Sequence, residues 1–394
     1  MSTCRSCPGC GCPEPTTFFE SRGVPVDVGV QWDSRAEARG CPRGDIRLAF
    51  CRKCGLVVNV IFEPQRLCTT QSYENPLDCS PTFQEYARTL ALQLIERYGI
   101  HGKTVVEIGC GSGSFLRLLC ALGNNRGIGF DPSHIGGRSE AEPADSAVKI
   151  IPDVYSTRYA DQHADLLCCR HLLDHLAAPR EFLLGLRQII AARPDAVAYF
   201  EVPECQEIFL GPYPWLIIYE HCLYFTRTSL SRLFTECGYS VQRMGTAYGD
   251  TFAFVEARLS GCSQDEQNAT LSDLSDLASA IETFPARYAR VLEDWHRRLQ
   301  EIMNRGDRVV LWGAGARSVG FTSAVGAADQ IPFVVDLNPR KWGHFLSGTG
   351  QEIVSPEFLR DYSPSAVIVM NAIYRNEIES RVQEMGLSPE LLCL

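Results

Sequence analysis

Nowhere does this 394-residue chain carry a run of about 18 consecutive apolar residues, which argues against a membrane-crossing helix. Its opening, M-S-T-C-R-S-C-P-G-C, holds no apolar stretch of the kind that directs export, so a cytoplasmic location is expected. Positive charge is in short supply too: 37 Lys and Arg stand against 47 Asp and Glu, a net charge of -10. Nucleic acids and anionic membranes select basic surfaces, so neither is an expected partner. A small-molecule substrate is expected instead, with the chain a monomer or a homodimer. Hydrophobic residues at 45% and charged residues at 21% describe an ordinary globular protein, long enough for two or three domains with cores of their own.

Cysteine is abundant, and its placement says more than its number. Seven of the 18 cysteines fall between positions 4 and 54. Others, such as Cys168, Cys169 and Cys205, sit in or beside apolar runs, where cysteine acts as a small hydrophobe. Cys7-Pro-Gly-Cys10-Gly and Cys51-Arg-Lys-Cys54-Gly form two C-x2-C-G knuckles. A knuckle turns both sulfurs toward one centre, and two knuckles supply the four thiolates of a closed tetrahedral site, so a structural Zn2+ is expected there. Cys4 offers an alternative partner for Cys7, but only the Cys7 and Cys10 pair is followed by glycine. The long gap between knuckles implies an inserted loop over residues 32–43, and residues 1–80 read as a zinc-binding domain.

The chain is organised around residues 104–115, T-V-V-E-I-G-C-G-S-G-S-F. A β-branched run carrying Glu107 is followed by Gly109, Gly111 and Gly113, then by apolar residues at helical spacing, so the stretch reads as strand, tight turn and helix. Further strands end at Asp131 and near Asp153, Arg170, His171 and Glu201. In an open α/β sheet, ligands bind outside the carboxyl ends of the strands. Residues 81–259 therefore read as a doubly wound, Rossmann-like domain whose crevice is lined by Glu107 and Asp131, with residues 239–256 closing the sheet as an antiparallel pair. The pattern G-x-G-x-G differs from the dinucleotide pattern G-x-G-x-x-G. E-x-G-x-G-x-G resembles the first motif of class I S-adenosylmethionine (SAM) dependent methyltransferases. That resemblance implies SAM as cofactor, with Asp131 on its ribose, Asp153 at its adenine, and Arg170 and His171 at the same crevice.

Residues 215–226 concentrate chemistry in one loop: Tyr219, Glu220, His221, Tyr224 and Phe225. With the paired knuckles and the glycine turn, the E-H-x-x-Y-F segment resembles the zinc-containing SAM-dependent C-methyltransferases that act on nucleotide-linked keto-deoxysugars in antibiotic pathways. Members of that family often carry Tyr-His before Glu-His, whereas this chain has Ile218-Tyr219. Carbon methylation needs a base and a donor for the enolate oxygen. His221 is the expected base, with Glu220 orienting it or binding substrate and Tyr224 or Tyr219 as donor; His175 and His171 are rival bases. Tyr73 is expected over the active site.

After polar residues 260–269, a long amphipathic helix is expected over 271–303. The strand, turn and helix theme then returns at Trp312-Gly313-Ala314-Gly315, with Asp336 ending the next strand. Residues 260–394 read as a second Rossmann-like domain. The resemblance implies that it helps hold the sugar nucleotide through Gly313, Gly315, Arg317, Asn371, Tyr374 and Arg375, although Ala372 replaces the proline of the family's N-P-x-Y segment. Two other readings stay open: a methyltransferase acting on a free or carrier-bound keto compound, and a protein that binds NAD without transferring methyl groups.

Overall fold

The structure is a computed structural model and describes residues 6–67, 73–74, 76–133, 147–191, 193–211, 213–259, 271–326 and 330–394. The expected boundary stretch over 260–269 lies outside the described residues.

The N-terminal part is an antiparallel sheet of β1 (Thr16–Pro25), β2 (Arg43–Phe50) and β3 (Val57–Asn59). The Cys51 to Cys54 knuckle is the connection between β2 and β3, and Gly55 beyond it has φ 82°. The inserted segment between β1 and β2 folds into a short helix, Arg35–Arg39, capped by the Ser34 side chain accepting from Glu37 N. This insertion contacts the C-terminal part of the chain. Phe345 N donates to Trp32 O, Trp32 Nε1 to Ser347 Oγ, and Gly348 N to Ala38 O.

The helix Pro81–Tyr98 begins with Ser80 as N-cap and proline in its first turn, and ends at Gly99 in the left-handed region. It leads into β4 (Thr104–Ile108), β5 (Arg126–Phe130), β6 (Val148–Ile151), β7 (Leu166–Arg170) and β8 (Val197–Pro203), all mutually parallel. The chain then runs through β9 (Leu223–Tyr224) to β10 (Ser240–Ala247) and β11 (Phe252–Arg258). The sheet order is β10-β11-β8-β7-β4-β5-β6. Strand order reverses between β4 and β7, which opens a crevice at their carboxyl ends. This is the Rossmann-like α/β sheet expected from the resemblance to class I SAM methyltransferases. β10 and β11 form the expected closing hairpin, turning at Gly249 and Asp250, both with positive φ.

β9 belongs elsewhere. It pairs with β3, so the N-terminal sheet runs β1-β2-β3-β9 and its fourth strand comes from the E-H-x-x-Y-F segment.

The long helix Leu271–Asn304 matches its expected span and carries Pro285 inside it. Beyond it lie β12 (Val309–Trp312), β13 (Phe333–Val335), β14 (Glu352–Val354), β15 (Ala366–Val369) and β16 (Glu390–Cys393), a parallel sheet in the order β14-β13-β12-β15-β16. Its central strands β12 and β15 are wholly buried, as a sheet covered on both faces requires. Among the described residues, no helix is long and apolar enough to cross a membrane.

Candidate functional site

The crevice is built by the turn after β4. Gly109 and Gly113 hold φ of 70° and 79°, and a Cβ at either would lie 3.1 Å from the Leu172 side chain or 2.8 Å from that of Ile150. Both reasons call for glycine. Asp131 follows β5; its Oδ2 accepts from Gly111 N at 2.8 Å, and its Oδ1 from Ser133 N and Oγ. The acid after β5 thus holds the middle of the glycine turn. Glu107 ends β4 buried, and burial pushes its carboxyl up to about 7 against the opposing pull of Arg170. Its Oε2 is buried with no hydrogen-bond partner among the described residues, an orphan acceptor that suits a cationic or donor-bearing ligand in the turn.

The other expected cofactor residues are tied to protein neighbours. Asp153 pairs with Arg158 and accepts from Tyr159. Arg170 lies beneath the crevice: its guanidinium sits 3.0 Å from Glu201 and stacks 4.3 Å over Phe115. His171 Nε2 lies 3.1 Å from the same Glu201 carboxylate. Replacing Asp131 with Ala should weaken S-adenosylhomocysteine binding on the order of tenfold or more, the worth of hydrogen bonds to a charged group. Calorimetry checks this, and unchanged affinity would remove Asp131 from the cofactor site.

Just past β7, Leu172 touches the glycine turn and the next turn, Leu173–His175, presents Asp174 and His175. The His221 ring packs edge-on against His175, with centroids 5.1 Å apart. Asp174 lies between the two imidazoles, 3.3 Å from His221 Nε2 and 3.6 Å from His175 Nε2. It is 2% exposed, and neither carboxylate oxygen has a hydrogen-bond partner among the described residues. Burial pushes His221 down to about 4 against the pull of Asp174, and its Nδ1 faces Leu216 O at 3.2 Å. The two ring nitrogens of His221 thus face Leu216 O and Asp174 Oδ2. Both His221 nitrogens are turned toward protein groups, whereas the His175 side chain is 25% exposed and its Nδ1 makes no hydrogen bond among the described residues. Asp174 was not singled out by sequence reasoning. Its signal is an Asp-His pair one turn beyond a buried parallel strand.

Glu220 is buried, which pushes its carboxyl up. It accepts from Val28 N at 2.6 Å and from the Tyr73 hydroxyl at 2.8 Å, so it ties the loop to the N-terminal part. It does not contact His221, the adjacent residue it was expected to orient, through any hydrogen bond among the described residues. Tyr73 packs flat on Gly29, where a Cβ would stand 2.6 Å from its ring. The two tyrosines expected to hold an enolate are turned elsewhere. Tyr219 fills a slot over Gly44 and its hydroxyl accepts from Glu63 N at 3.1 Å. The hydroxyl of the fully buried Tyr224 donates to Ile218 O at 3.2 Å. The Ile218-Tyr219 departure noted in the sequence thus has a structural counterpart: the displaced ring is a packing residue.

The cysteine cluster underlies this loop. Cys7 Sγ lies 3.6 Å from Cys54 Sγ, and Cys10 Sγ 3.6 Å from Cys51 Sγ; the four sulfurs all lie within 4.8 Å of one another. A tetrahedral zinc with Zn–S bonds of about 2.3 Å places its sulfurs about 3.8 Å apart, so the donor set fits. The second knuckle leads into β3, β3 pairs with β9, and Asn59 N holds Cys222 O at 2.9 Å. The cysteines and the His221 loop are therefore joined by one short ladder.

In the C-terminal sheet the theme repeats. Gly313 has φ 107°. Asp336 Oδ2 accepts from Ala314 N at 2.7 Å and faces the buried Lys341 Nζ at 3.2 Å, while Gly315 caps the helix on which Arg317 lies. Asn371 caps its own turn by accepting from Ile373 N, and Arg375 reaches Cys393 Sγ at 3.6 Å. Tyr374 packs on Tyr248 at 6.0 Å, and Ile373 on Gly249. Because Tyr248 and Gly249 turn at the carboxyl edge of the central sheet, and residues 372–374 follow the carboxyl end of β15, the two carboxyl edges face each other. Ser80 Oγ bonds Glu377 at 2.7 Å and Asn338 Nδ2 reaches Glu74 at 3.4 Å across the same border.

Comparison with known proteins agrees with this layout. A family model described as a methyltransferase domain matches residues 83–243, and one described as a C-methyltransferase C-terminal domain matches residues 243–388. C-methyltransferase NovU from Streptomyces niveus is 26% identical over 356 residues, spanning 86% of this chain and 82% of that protein. Indolepyruvate C-methyltransferase from Streptomyces griseus is 27% identical over 168 residues, 39% of this chain and 51% of that protein. Among solved structures, a SAM-dependent methyltransferase from Aquifex aeolicus aligns with 47% of this chain and 100% of its own at 19% identity, with a TM-score of 0.32.

Proposed function

This chain belongs to the SAM-dependent C-methyltransferases, and from that premise we propose that it methylates a carbon next to a carbonyl through an enolate, with His175 as the base. Bound in the β4 turn, SAM supplies an electrophilic methyl on a sulfonium. A carbon becomes nucleophilic toward it only after losing a proton, and an adjacent carbonyl makes that loss feasible. His175 Nδ1 has the lone pair and the access to take the proton, and Asp174 is placed to stabilise the imidazolium that results. The proton moves from the α-carbon to Nδ1; the enolate would then form a carbon–carbon bond to the methyl as its bond to sulfur breaks, leaving S-adenosylhomocysteine and restoring the carbonyl. The observation that carries this reading is the unpartnered Asp174 carboxylate between two imidazoles beside the glycine turn.

His221, expected as the base, is better suited to hold Asp174 in place. The Cys7, Cys10, Cys51 and Cys54 set is proposed to hold a structural Zn2+ that anchors β3 and, through β9, the His221 loop.

For the acceptor we favour a dTDP-linked keto-deoxysugar. The supporting feature is the second glycine turn, whose sheet opens toward the first; backbone amides at a helix N-terminus suit a pyrophosphate. An α-keto acid is the second reading, prompted by the indolepyruvate enzyme's likeness to part of this chain. NAD is disfavoured because the turn departs from G-x-G-x-x-G, with Ser318 standing where the third glycine would be. dTDP alone should raise the melting temperature, as a ligand of the folded state must, and a dTDP-4-keto sugar with SAM should give a product heavier by one methyl. Turnover of a free keto acid, with no thermal response to dTDP, would overturn the sugar reading.

A further inference from the structure

We propose that Asp174, His175 and His221 form a second, open metal site that takes a borderline divalent ion such as Zn2+ or Co2+, and that the ion silences the enzyme. The geometry is that of a three-ligand site. Metal bonds of about 2.1 Å in a tetrahedron set neighbouring ligand atoms about 3.4 Å apart; here Asp174 Oδ2 lies 3.3 Å from His221 Nε2 and 3.6 Å from His175 Nε2, and the three donor atoms all fall within 4.8 Å of one another.

Two further observations point to a cation. Both Asp174 oxygens are buried without a hydrogen-bond partner among the described residues, so the carboxylate offers acceptor capacity that no protein donor uses. His221 is oriented as metal-ligating histidines are, with Nδ1 facing the Leu216 carbonyl and Nε2 left toward the centre. Asp174 is itself steadied, its backbone carbonyl accepting from Cys222 N at 3.1 Å. Imidazole and carboxylate together suit zinc and its neighbours in the first transition row. With three protein ligands the fourth position stays open toward His175, the most exposed of the three, so an ion can enter from the crevice.

The inhibitory effect rests on the reading of His175 as base. An ion on His175 Nε2 requires that nitrogen to be unprotonated, which moves the ring proton to Nδ1 and removes the lone pair that accepts the substrate proton. Ion binding and turnover are then mutually exclusive.

The test uses the full chain with its cysteine site loaded with zinc. Equilibration with Zn2+ followed by metal analysis should give a second equivalent that a mild chelator removes, leaving the first. Co2+ added to the same protein should develop the visible absorption of a tetrahedral site. Asp174→Asn keeps the shape and both imidazoles, and should lose the second equivalent while retaining the first. Turnover of wild type should fall in step with occupancy and return on chelation. A wild type that never takes a second equivalent overturns the site. A second equivalent that binds while turnover is unchanged or rises overturns the inhibition and, with it, His175 as base, but leaves the C-methyltransferase assignment standing.

Discussion

His175→Ala should lower methyl transfer by about 10²- to 10⁴-fold, the usual contribution of a positioned general base, while S-adenosylhomocysteine binds within about twofold of wild type. The two readouts separate chemistry from assembly. His175 packs on His221 at the rim of the site, its side chain 25% exposed, so its removal should leave the glycine turn intact. His221→Ala should also lose activity but with a cost in stability, because its ring is 7% exposed and fixes both Asp174 and the Leu216 carbonyl. If His175→Ala turns over normally while His221→Ala does not, the base is His221 and not His175. Radiolabelled SAM and calorimetry on the two variants decide it.

Glu201→Gln should cost about 3–5 kcal/mol of folding stability, the penalty for leaving one member of a buried ion pair without its partner. Glu201 is 0% exposed at the carboxyl end of β8. It is flanked by Arg170 at 3.0 Å and His171 at 3.1 Å, and accepts from Tyr199 at 2.6 Å and from Tyr86. Burial alone would raise its carboxyl, but the Arg170 guanidinium and these donors hold it well below the usual carboxylate range. The native state therefore favours the ionised form. The stability this contributes is fully present above the carboxylate's ordinary value and is lost as pH falls through the depressed native one. Urea denaturation should show wild type weakening on acidification, with the variant weaker at neutral pH and flatter toward acid. A variant as stable as wild type at pH 7 would mean that Arg170 finds another partner.

The parts of the fold that were legible in the sequence are those governed by local rules. The glycine turn after β4, its repeat at Gly313, the closing hairpin and the long helix each carry their signal within a few residues, through alternation, positive φ or helical spacing. The four cysteines declared themselves because two matched knuckles are a local pattern with one geometric outcome. The misjudged details depend on contacts distant in sequence. The positions of Asp131 and Asp336 at strand ends were readable; that each accepts from an amide of its own glycine turn was not. Tyr219 sits one place beyond the family's motif tyrosine, and Gly44, 175 positions earlier, opens the slot that swallows its ring. Nothing near residue 223 announces that β9 leaves the central domain to pair with β3. Asp174 was overlooked for the same reason, since its meaning comes from His221, which folds back onto it from a later loop. Arg170 looked like a crevice residue because it ends a parallel strand, but in this sheet that position faces Glu201 on the neighbouring strand.

In the proposed reaction a deprotonated carbon meets the methyl donor. The most direct measurement is carbon NMR of the product formed with SAM carrying a ¹³C methyl and a keto acceptor enriched at its α-carbon. Direct ¹³C–¹³C coupling between the new methyl and the α-carbon is the predicted result; a methyl resonance on oxygen, uncoupled to that carbon, would contradict the account.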